Sequence, residues 1–232
     1  MKITAASFNI GSSHKMHMHY SEENLHALAK VIAGCGADVL CLQEVDKGAR
    51  RSQGVDMTAF LAEQGGYPYA HFIRIRAFQG GEYGTAILSR HPITESGTFN
   101  YPVKICTQGT SAGYAVIEVD GQPLTVFNTH LSCESDEANT EALTCYRNLL
   151  LAYRKGTGRE LIAMGDFNTN PDRVAQYIPE FPGVNPWLYT YEEQSIDNIL
   201  LSDGVKAEHV RILDTTTNRE SDHNMLLCEI EY

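Results

Sequence analysis

The sequence predicts an α/β (α+β) chain in which two packed β-sheets are flanked by helices. Three observations point there. Helical and strand periodicities alternate along the chain. The strand candidates are many, short and apolar. No internal repeat, low-complexity stretch or long linker interrupts them. At 232 residues the chain is expected to form one domain, residues 1–232, and a chain of this size buries roughly 70% of its unfolded surface.

Residues 2–9 open the chain as a strand. Ser21 follows as an N-cap, with Glu22 and Glu23 in the first turn, where negative charge suits the helix dipole. Leu25, Leu28, Ala29 and Ile32 recur at helical spacing, and Gly34 supplies the stop. Val39–Leu42 has the continuous apolar character of a buried strand. A second helix is predicted from Asp56 to Gln64, ended by Gly65-Gly66. The middle of the chain is β-rich: Tyr69–Ile75, Thr85–Ser89, Tyr114–Val119 and Leu124–Thr129 read as strands. Asp120-Gly121 between the last two is a hairpin turn signal. Leu and Ala spacing places a helix over Glu137–Arg154. Leu161–Met164 is another buried strand, and Asn170-Pro171 opens a short helix with Pro at its first position. Strands at Ile196–Leu201, Val210–Leu213 and Met225–Ile230 complete the series.

Composition bounds the function. With 18 Lys+Arg against 29 Asp+Glu the formal charge is −11, and Arg50-Arg51 and Arg74-x-Arg76 are the close cationic clusters. Coating of nucleic acid through phosphate neutralisation is therefore disfavoured. Metal-assisted phosphate chemistry is not, because clustered carboxylates suit a divalent cation. The six cysteines form no C-x-x-C pair and read as reduced thiols. No window approaches the ~18 apolar residues of a membrane span, and no signal-peptide pattern follows Met1 and Lys2. These features imply a cytoplasmic setting. No protein partner is evident.

The polar residues of interest stand at or just beyond the ends of apolar strands. Asn9 follows Ile3–Phe8, Glu44 follows Val39–Gln43, and His130 follows Leu124–Thr129. Asp166 and Asn168 follow Leu161–Gly165, Asp197 begins a strand, and Ser221-Asp222-His223 precedes another. Carboxylates, amides and imidazoles gathered at one rim of a rigid scaffold are the raw material of a metal site. The dominance of oxygen favours a hard cation, Mg²⁺ or Mn²⁺.

These residues lie in blocks that occur in a fixed order: Ser7-Phe8-Asn9-Ile10, Leu42-Gln43-Glu44-Val45, Tyr83 to Arg90, Asn128-Thr129-His130-Leu131, Gly165-Asp166-Phe167-Asn168, Ile196 to Leu200 and Ser221-Asp222-His223. The chain resembles the endonuclease/exonuclease/phosphatase superfamily over nearly its whole length. The resemblance implies a four-layered α/β sandwich and metal-dependent hydrolysis of a phosphoester. It implies Glu44 as principal metal ligand, with Asn9 and Asp222 nearby. Asp166 would orient or deprotonate the attacking water, and Asn168 would hold the phosphate or that aspartate. His223, oriented by Asp197, would contact the phosphate. His130 would be a proton donor to the leaving group or a second phosphate contact, and Tyr83 a phosphate-contacting tyrosine.

Four positions depart from the family pattern. Thr85 stands where Asn is usual, Asn198 where an aromatic is common, and Met225 where proline is frequent. Many members carry an arginine before the strand that leads to Asn-Thr-His. Residues 107–113 contain none, and Lys104 is the nearest cation, so a phosphate-binding role is left unfilled.

Other motifs read blandly. Gly109-Thr110-Ser111-Ala112-Gly113 matches a nucleophile elbow, but a β-rich segment follows where a helix is required, so Ser111 reads as a loop residue. His14, His17 and His19 read as a solvated loop. Gly80-Gly81-x-x-Gly84 lacks the strand–turn–helix context of a nucleotide loop. Arg50-Arg51 reads as a solvated pair, with a substrate-phosphate role as the alternative. The sequence thus points to a Mg²⁺-dependent phosphoesterase using in-line attack of activated water on a small-molecule or nucleic-acid phosphoester. The alternatives are a DNA endonuclease or exonuclease proper, and a phosphoryl-ligand binding module with an inactive site.

Overall fold

The structure, a computed structural model, describes residues 1–13, 19–100, 106 and 111–232. Lys2–Asn9 forms β1 and Glu22–Gly34 forms α1, whose capping Ser21 hydroxyl accepts from the Asn24 amide at 3.0 Å. Val39–Lys47 is β2, Met57–Gly65 is α2, Tyr69–Phe78 is β3 and Gly81–Ser89 is β4. Ile93–Asn100, Ser111–Val119 and Gln122–His130 are β5, β6 and β7. Asp136–Thr157 is α3, Leu161–Asp166 is β8 and Pro171–Tyr177 is α4. Asp197–Leu201, Lys206–Leu213 and Met225–Glu231 are β9, β10 and β11. The two-residue Asp120-Gly121 turn has positive φ at both positions, 47° and 79°, as the β6–β7 hairpin requires.

One sheet has six strands in the order β10-β11-β1-β2-β4-β3, and the other five in the order β5-β6-β7-β8-β9. Strand alternation divides the side chains into layers. Leu40 and Leu42 of β2 face α1 and α2, packing with Leu25, Leu28, Ile32 and Leu61. Val39 and Cys41 face the second sheet, meeting Val126, Ile162 and Ile199. On the far side of that sheet, Phe127, Leu161 and Ala163 pack against Ala142, Tyr146 and Leu150 of α3. The result is a four-layered α–β–β–α sandwich.

Topology collects the strand ends. β1 and β2 are parallel, as are β7 and β8, so these four strands end at one rim. β11 runs antiparallel to β1 and β9 antiparallel to β8, so both begin there. Close to that rim a polar bolt joins the sheets. Asn128 donates to the Leu42 and Ala86 carbonyls at 3.0 and 2.8 Å and accepts from Gln43 Nε2 at 2.8 Å, all fully buried. Asn128→Ala removes the side-chain donor to two buried carbonyls, while the Gln43 amide keeps Ser7 Oγ and the Cys41 carbonyl at 3.3 and 3.4 Å. At about 1–3 kcal/mol per orphaned group, it is expected to cost at least about 2 kcal/mol, measured by urea denaturation. A loss below about 1 kcal/mol would show that water replaces the side chain.

Several boundaries differ from expectation. Ile93–Asn100 is a strand the sequence reading omits, because this edge segment is polar, largely exposed and carries no apolar alternation. Ser111 is not a loop residue: it is the first, fully buried residue of β6. β10 begins at Lys206, and a bulge between Glu208 and Arg211 interrupts its pairing, which hides its period. His14, His17, Lys104, Gly109 and Thr110 lie outside the described residues, while His19 is exposed.

Candidate active site

Each rim side chain is aimed by a local feature of the backbone. Glu44 lies within β2 rather than beyond its end. Leu42 pairs Ala86 while Val45 pairs Gly84, so Gln43 and Glu44 form a bulge, and Glu44 adopts φ 57°. A bulge of this kind re-aims a side chain, here toward the gap between the sheets. Gly165 brings β8 against β7: a Cβ there would lie 2.2 Å from the Thr129 carbonyl oxygen. The next residue, Asp166, can therefore sit beside His130 at the strand ends.

Asp166 is the hub. One carboxylate oxygen accepts from the Asn168 amide at 2.8 Å. The other accepts from Asn9 Nδ2 at 3.0 Å and lies 3.4 Å from His130 Nε2 and 3.9 Å from His223 Nε2. The same Asn9 nitrogen reaches Glu44 Oε1 at 3.3 Å, so one amide joins the carboxylates of the two sheets. Asn9 Oδ1 accepts from the Gly11 amide at 3.0 Å, and Asn168 is anchored to the Leu131 carbonyl at 2.9 Å.

His223 and Asp197 form a buried pair, Nδ1 to Oδ2 2.9 Å. Burial raises the Asp197 carboxyl above its ordinary value, against the opposing charge of His223. Burial works against the imidazolium too, but Asp197, with Asp166 and Asp222 behind it, outweighs that and lifts His223 to about 9. The pair thus holds a proton through neutral pH, with Nε2 turned toward Asp166. Its contribution to stability is present below about 6.5, the usual histidine value, and is lost as pH rises through about 9. In Asp197→Asn the opposing carboxylate is gone while burial remains. The imidazole should then titrate well below about 9, with Asp166 and Asp222 still opposing burial, which an NMR titration of the ring reads directly.

Tyr83 lines the opposite wall. Burial, reinforced by the Glu44 charge and partly offset by Arg51 and Arg76, pushes its phenol well above 10, so it remains a donor. A cleft of about 470 Å³ is lined by Glu44, Tyr83, His130, Asp166, Asn168 and His223, together with Arg51, Arg76, Cys133, Tyr191 and Ile196. Asp222 lines an adjoining cavity of about 240 Å³ with Tyr191, Glu192, Thr216 and Asn224, and its Oδ1 lies 3.4 Å from the Ser221 hydroxyl that donates to the Asn9 carbonyl.

The chain matches the profile of the Endonuclease/Exonuclease/phosphatase family over residues 6–223. It belongs to that family. Members are phosphoester hydrolases and are typically metal-dependent. Among curated proteins, an inositol phosphosphingolipids phospholipase C from Schizosaccharomyces pombe is 26% identical over 194 residues. The match takes in 75% of this chain and 44% of that protein, so the chain spans less than half the relative's length. Among solved structures, an endonuclease/exonuclease/phosphatase from Beutenbergia cavernae superposes with TM-score 0.83 at 17% identity, covering 99% of this chain and 71% of that one. The human nocturnin catalytic domain gives 0.77 at 18%, covering 99% and 94%. A Bacteroides thetaiotaomicron mannosyl-6-phosphatase gives 0.76 at 15%, covering 99% and 100%. At these identities the structural likenesses speak to the fold of this family member.

Three residues that orient the pair escaped the sequence reading. The Thr190 hydroxyl accepts from the Ile196 and Asp197 amides at 3.2 and 3.1 Å, and the Tyr191 ring lies 4.7 Å from that of His223. Thr215 donates to the His223 carbonyl. All three sit in irregular segments without periodicity, and only their tertiary neighbours mark them. Ser221 ties the two halves of the rim, donating to the Asn9 carbonyl at 2.7 Å and accepting from the His223 amide at 3.2 Å.

The divergent positions have structural occupations. Asn198 accepts from the Asn185 and Ile199 amides at 3.1 and 2.9 Å, pinning the loop before β9. Met225 is buried beside α1 and α2. The buried Thr85 hydroxyl has no partner among the described residues, so nothing there orients His130.

Proposed function

We propose that this chain is a Mg²⁺- or Mn²⁺-dependent phosphoesterase that uses water as its nucleophile and acts on a small phosphoester. The observation that carries this reading is the convergence of two amides and two imidazoles on the buried Asp166 carboxylate. A carboxylate so held is a fixed base, and a water in the cleft against it is aimed at a phosphorus between the histidines. Asn168 keeps that carboxylate oriented through its own amide. His223 presents Nε2–H to a phosphate oxygen and neutralises charge that develops there, while Asp197 fixes the ring. His130 supplies a proton to the leaving oxygen or a further phosphate contact, and Tyr83 donates a third hydrogen bond.

The donor set fits a hard divalent cation, because Glu44 and Asp166 offer carboxylate oxygens to a shared space. Glu44 would hold the ion, with Asn9 and Asp222. To do so, Asn9 must turn its amide over, because its Nδ2 now faces the carboxylates and its Oδ1 accepts from Gly11. When bound, the ion supplies the largest local positive charge for the phosphate. The ligand atoms of Asp166, Asp197 and His223 also lie within 4.8 Å of one another, but two of these residues are already each other's partners and share a proton. Acid–base work suits them better than ligation.

The −11 charge and the phospholipase C relative support a small or headgroup phosphoester over bulk DNA. The free thiols support a reducing, cytoplasmic setting. The test is a panel of phosphodiesters and phosphomonoesters, including a sphingolipid headgroup ester, beside supercoiled plasmid, with Mg²⁺ or chelator. Chelator-sensitive hydrolysis of a small ester without plasmid nicking is expected. Nicking alone would make the protein a nuclease, and binding without any turnover would make it a phosphoryl-ligand module.

A further inference from the structure

We propose that Ser111 is a positioning residue for His130: its hydroxyl donates to Nδ1 of the ring and fixes the tautomer whose proton sits on Nε2, facing Asp166. The part this plays in turnover rests on the phosphoester-hydrolase reading of the cleft, and the contact itself does not. Ser111 stands in the Gly-x-Ser-x-Gly run, where full burial excludes it as a nucleophile and leaves its hydroxyl without a task.

Three orphaned polar atoms mark the layer. Gln43 Oε1, Thr85 Oγ1 and Ser111 Oγ belong to fully buried residues and have no partner among the described residues. A buried polar group left unpaired costs about 1–3 kcal/mol, so each calls for a group it can reach. Strand alternation turns all three into the gap between the sheets. Gln43 reaches Asn128 across it, Thr85 is two residues from the inward Ile87, and Ser111 is four from the inward Ala115. His130, four residues from the inward Val126, faces the same gap.

Register gives Ser111 to His130. β6 and β7 have nine residues each and pair without a shift from Val119 opposite Gln122 to Ala112 opposite Thr129. The next step sets Ser111 against His130. Side chains so opposed on one face have Cβ atoms about 4.5–5.5 Å apart, which a serine hydroxyl and an imidazole span once the serine takes the right rotamer. Thr85 belongs to the facing sheet, about 10 Å away. It stands opposite the Gln43–Glu44 bulge, where Gln43 Oε1 offers an acceptor on the neighbouring strand.

Donor and acceptor match. His130 Nε2 lies 3.4 Å from Asp166 Oδ2, and an ionised carboxylate is met by an N–H. That leaves Nδ1 a bare acceptor, with no partner among the described residues. Gln43 Oε1 only accepts and cannot serve it, whereas Ser111 brings an O–H. In the other histidine, Asp197 holds Nδ1 of His223. A hydroxyl in that role fixes the ring without adding a charge, and keeps the Nε2 proton of His130 for the leaving oxygen or a phosphate.

The test reads the ring apart from turnover. Nitrogen NMR is recorded on the full chain, labelled at histidine, in chelator at about two pH units above the usual histidine value. His130→Gln assigns the signals by their loss. In the parent, Nδ1 is expected to show the shift of a nitrogen that accepts a hydrogen bond, with Nε2 protonated. In Ser111→Ala that shift should move to the value of an unbonded ring nitrogen, and it should recover in part in Ser111→Thr, which keeps the hydroxyl. Thr85→Val should leave it untouched. Thermal melts establish that each variant is folded. An unchanged Nδ1 signal in Ser111→Ala, or a change produced by Thr85→Val instead, overturns the contact. In turnover, kcat of Ser111→Ala should fall about five- to tenfold, the order of one hydrogen bond, with KM changed less than about twofold. A shifted ring with full kcat overturns the positioning role. If the hydrolase reading alone is wrong, nothing turns over, yet the Ser111-dependent Nδ1 signal remains.

Discussion

Asp166→Asn is expected to lower turnover about 10³-fold while the protein stays folded. The substitution keeps the shape of the side chain and an oxygen for the Asn168 amide, which Asp166 now accepts at 2.8 Å. It removes the basic oxygen that faces Asn9, His130 and His223. An amide cannot take a proton from water at neutral pH, so the loss falls on kcat rather than on substrate binding. Folding should survive, because the variant also removes negative charge from a rim shared with Glu44 and Asp197. Steady-state kinetics on a chromogenic phosphodiester, with a thermal melt beside them, decide the matter. Full activity in a folded Asp166→Asn protein would remove this residue from the base role.

Glu44→Gln carries the second largest expected effect, on the cation. A hard divalent ion draws much of its affinity from charged oxygen ligands, and the substitution removes that charge without removing the oxygen. Mn²⁺ affinity measured calorimetrically should fall at least about 100-fold, beyond what loss of a supporting hydrogen bond usually costs. The backbone should not object: Glu44 adopts φ 57° because of the bulge, and glutamine bears the same strain. Unchanged Mn²⁺ binding would move the ion to Asp166, Asp197 and His223, the other set of ligand atoms within reach of one another.

Much of this site was legible in the sequence because strand ends are legible. An apolar run terminated by Asn9, His130 or Asp166 needs no partner to be recognised. The Gly165-Asp166-Phe167-Asn168 run carries its own explanation, a glycine where β7 leaves no room for a Cβ. The sequence reading placed Glu44 just past a strand, whereas it stands at a bulge within one. A bulge is a property of pairing, visible only once β2 and β4 are set side by side. β5 escaped for a related reason: its register comes from β6, not from any alternation of its own.

Residues that act through neighbours were the least legible. Thr190 and Tyr191 serve the site by contact with Asp197 and His223, and nothing in their own stretch announces it. Arg50-Arg51 reads in sequence as a solvated pair with a substrate-phosphate role as the alternative, and only the fold shows Arg51 and Arg76 stacked on Phe78 and Tyr83 at the cleft wall.

By itself the sequence determined the chemistry available: oxygen and imidazole donors on apolar strands that must be buried, with the hydrophobic period deciding which faces meet. The tertiary structure decided the convergence. Parallel pairing at the centre of each sheet, and packing of the two sheets face to face, bring residues as distant in sequence as Asn9 and Asp166 to 3.0 Å. The physical reason is that local periodicity sets only which side a residue faces. Which residues then meet depends on register and layer packing, which belong to the whole fold.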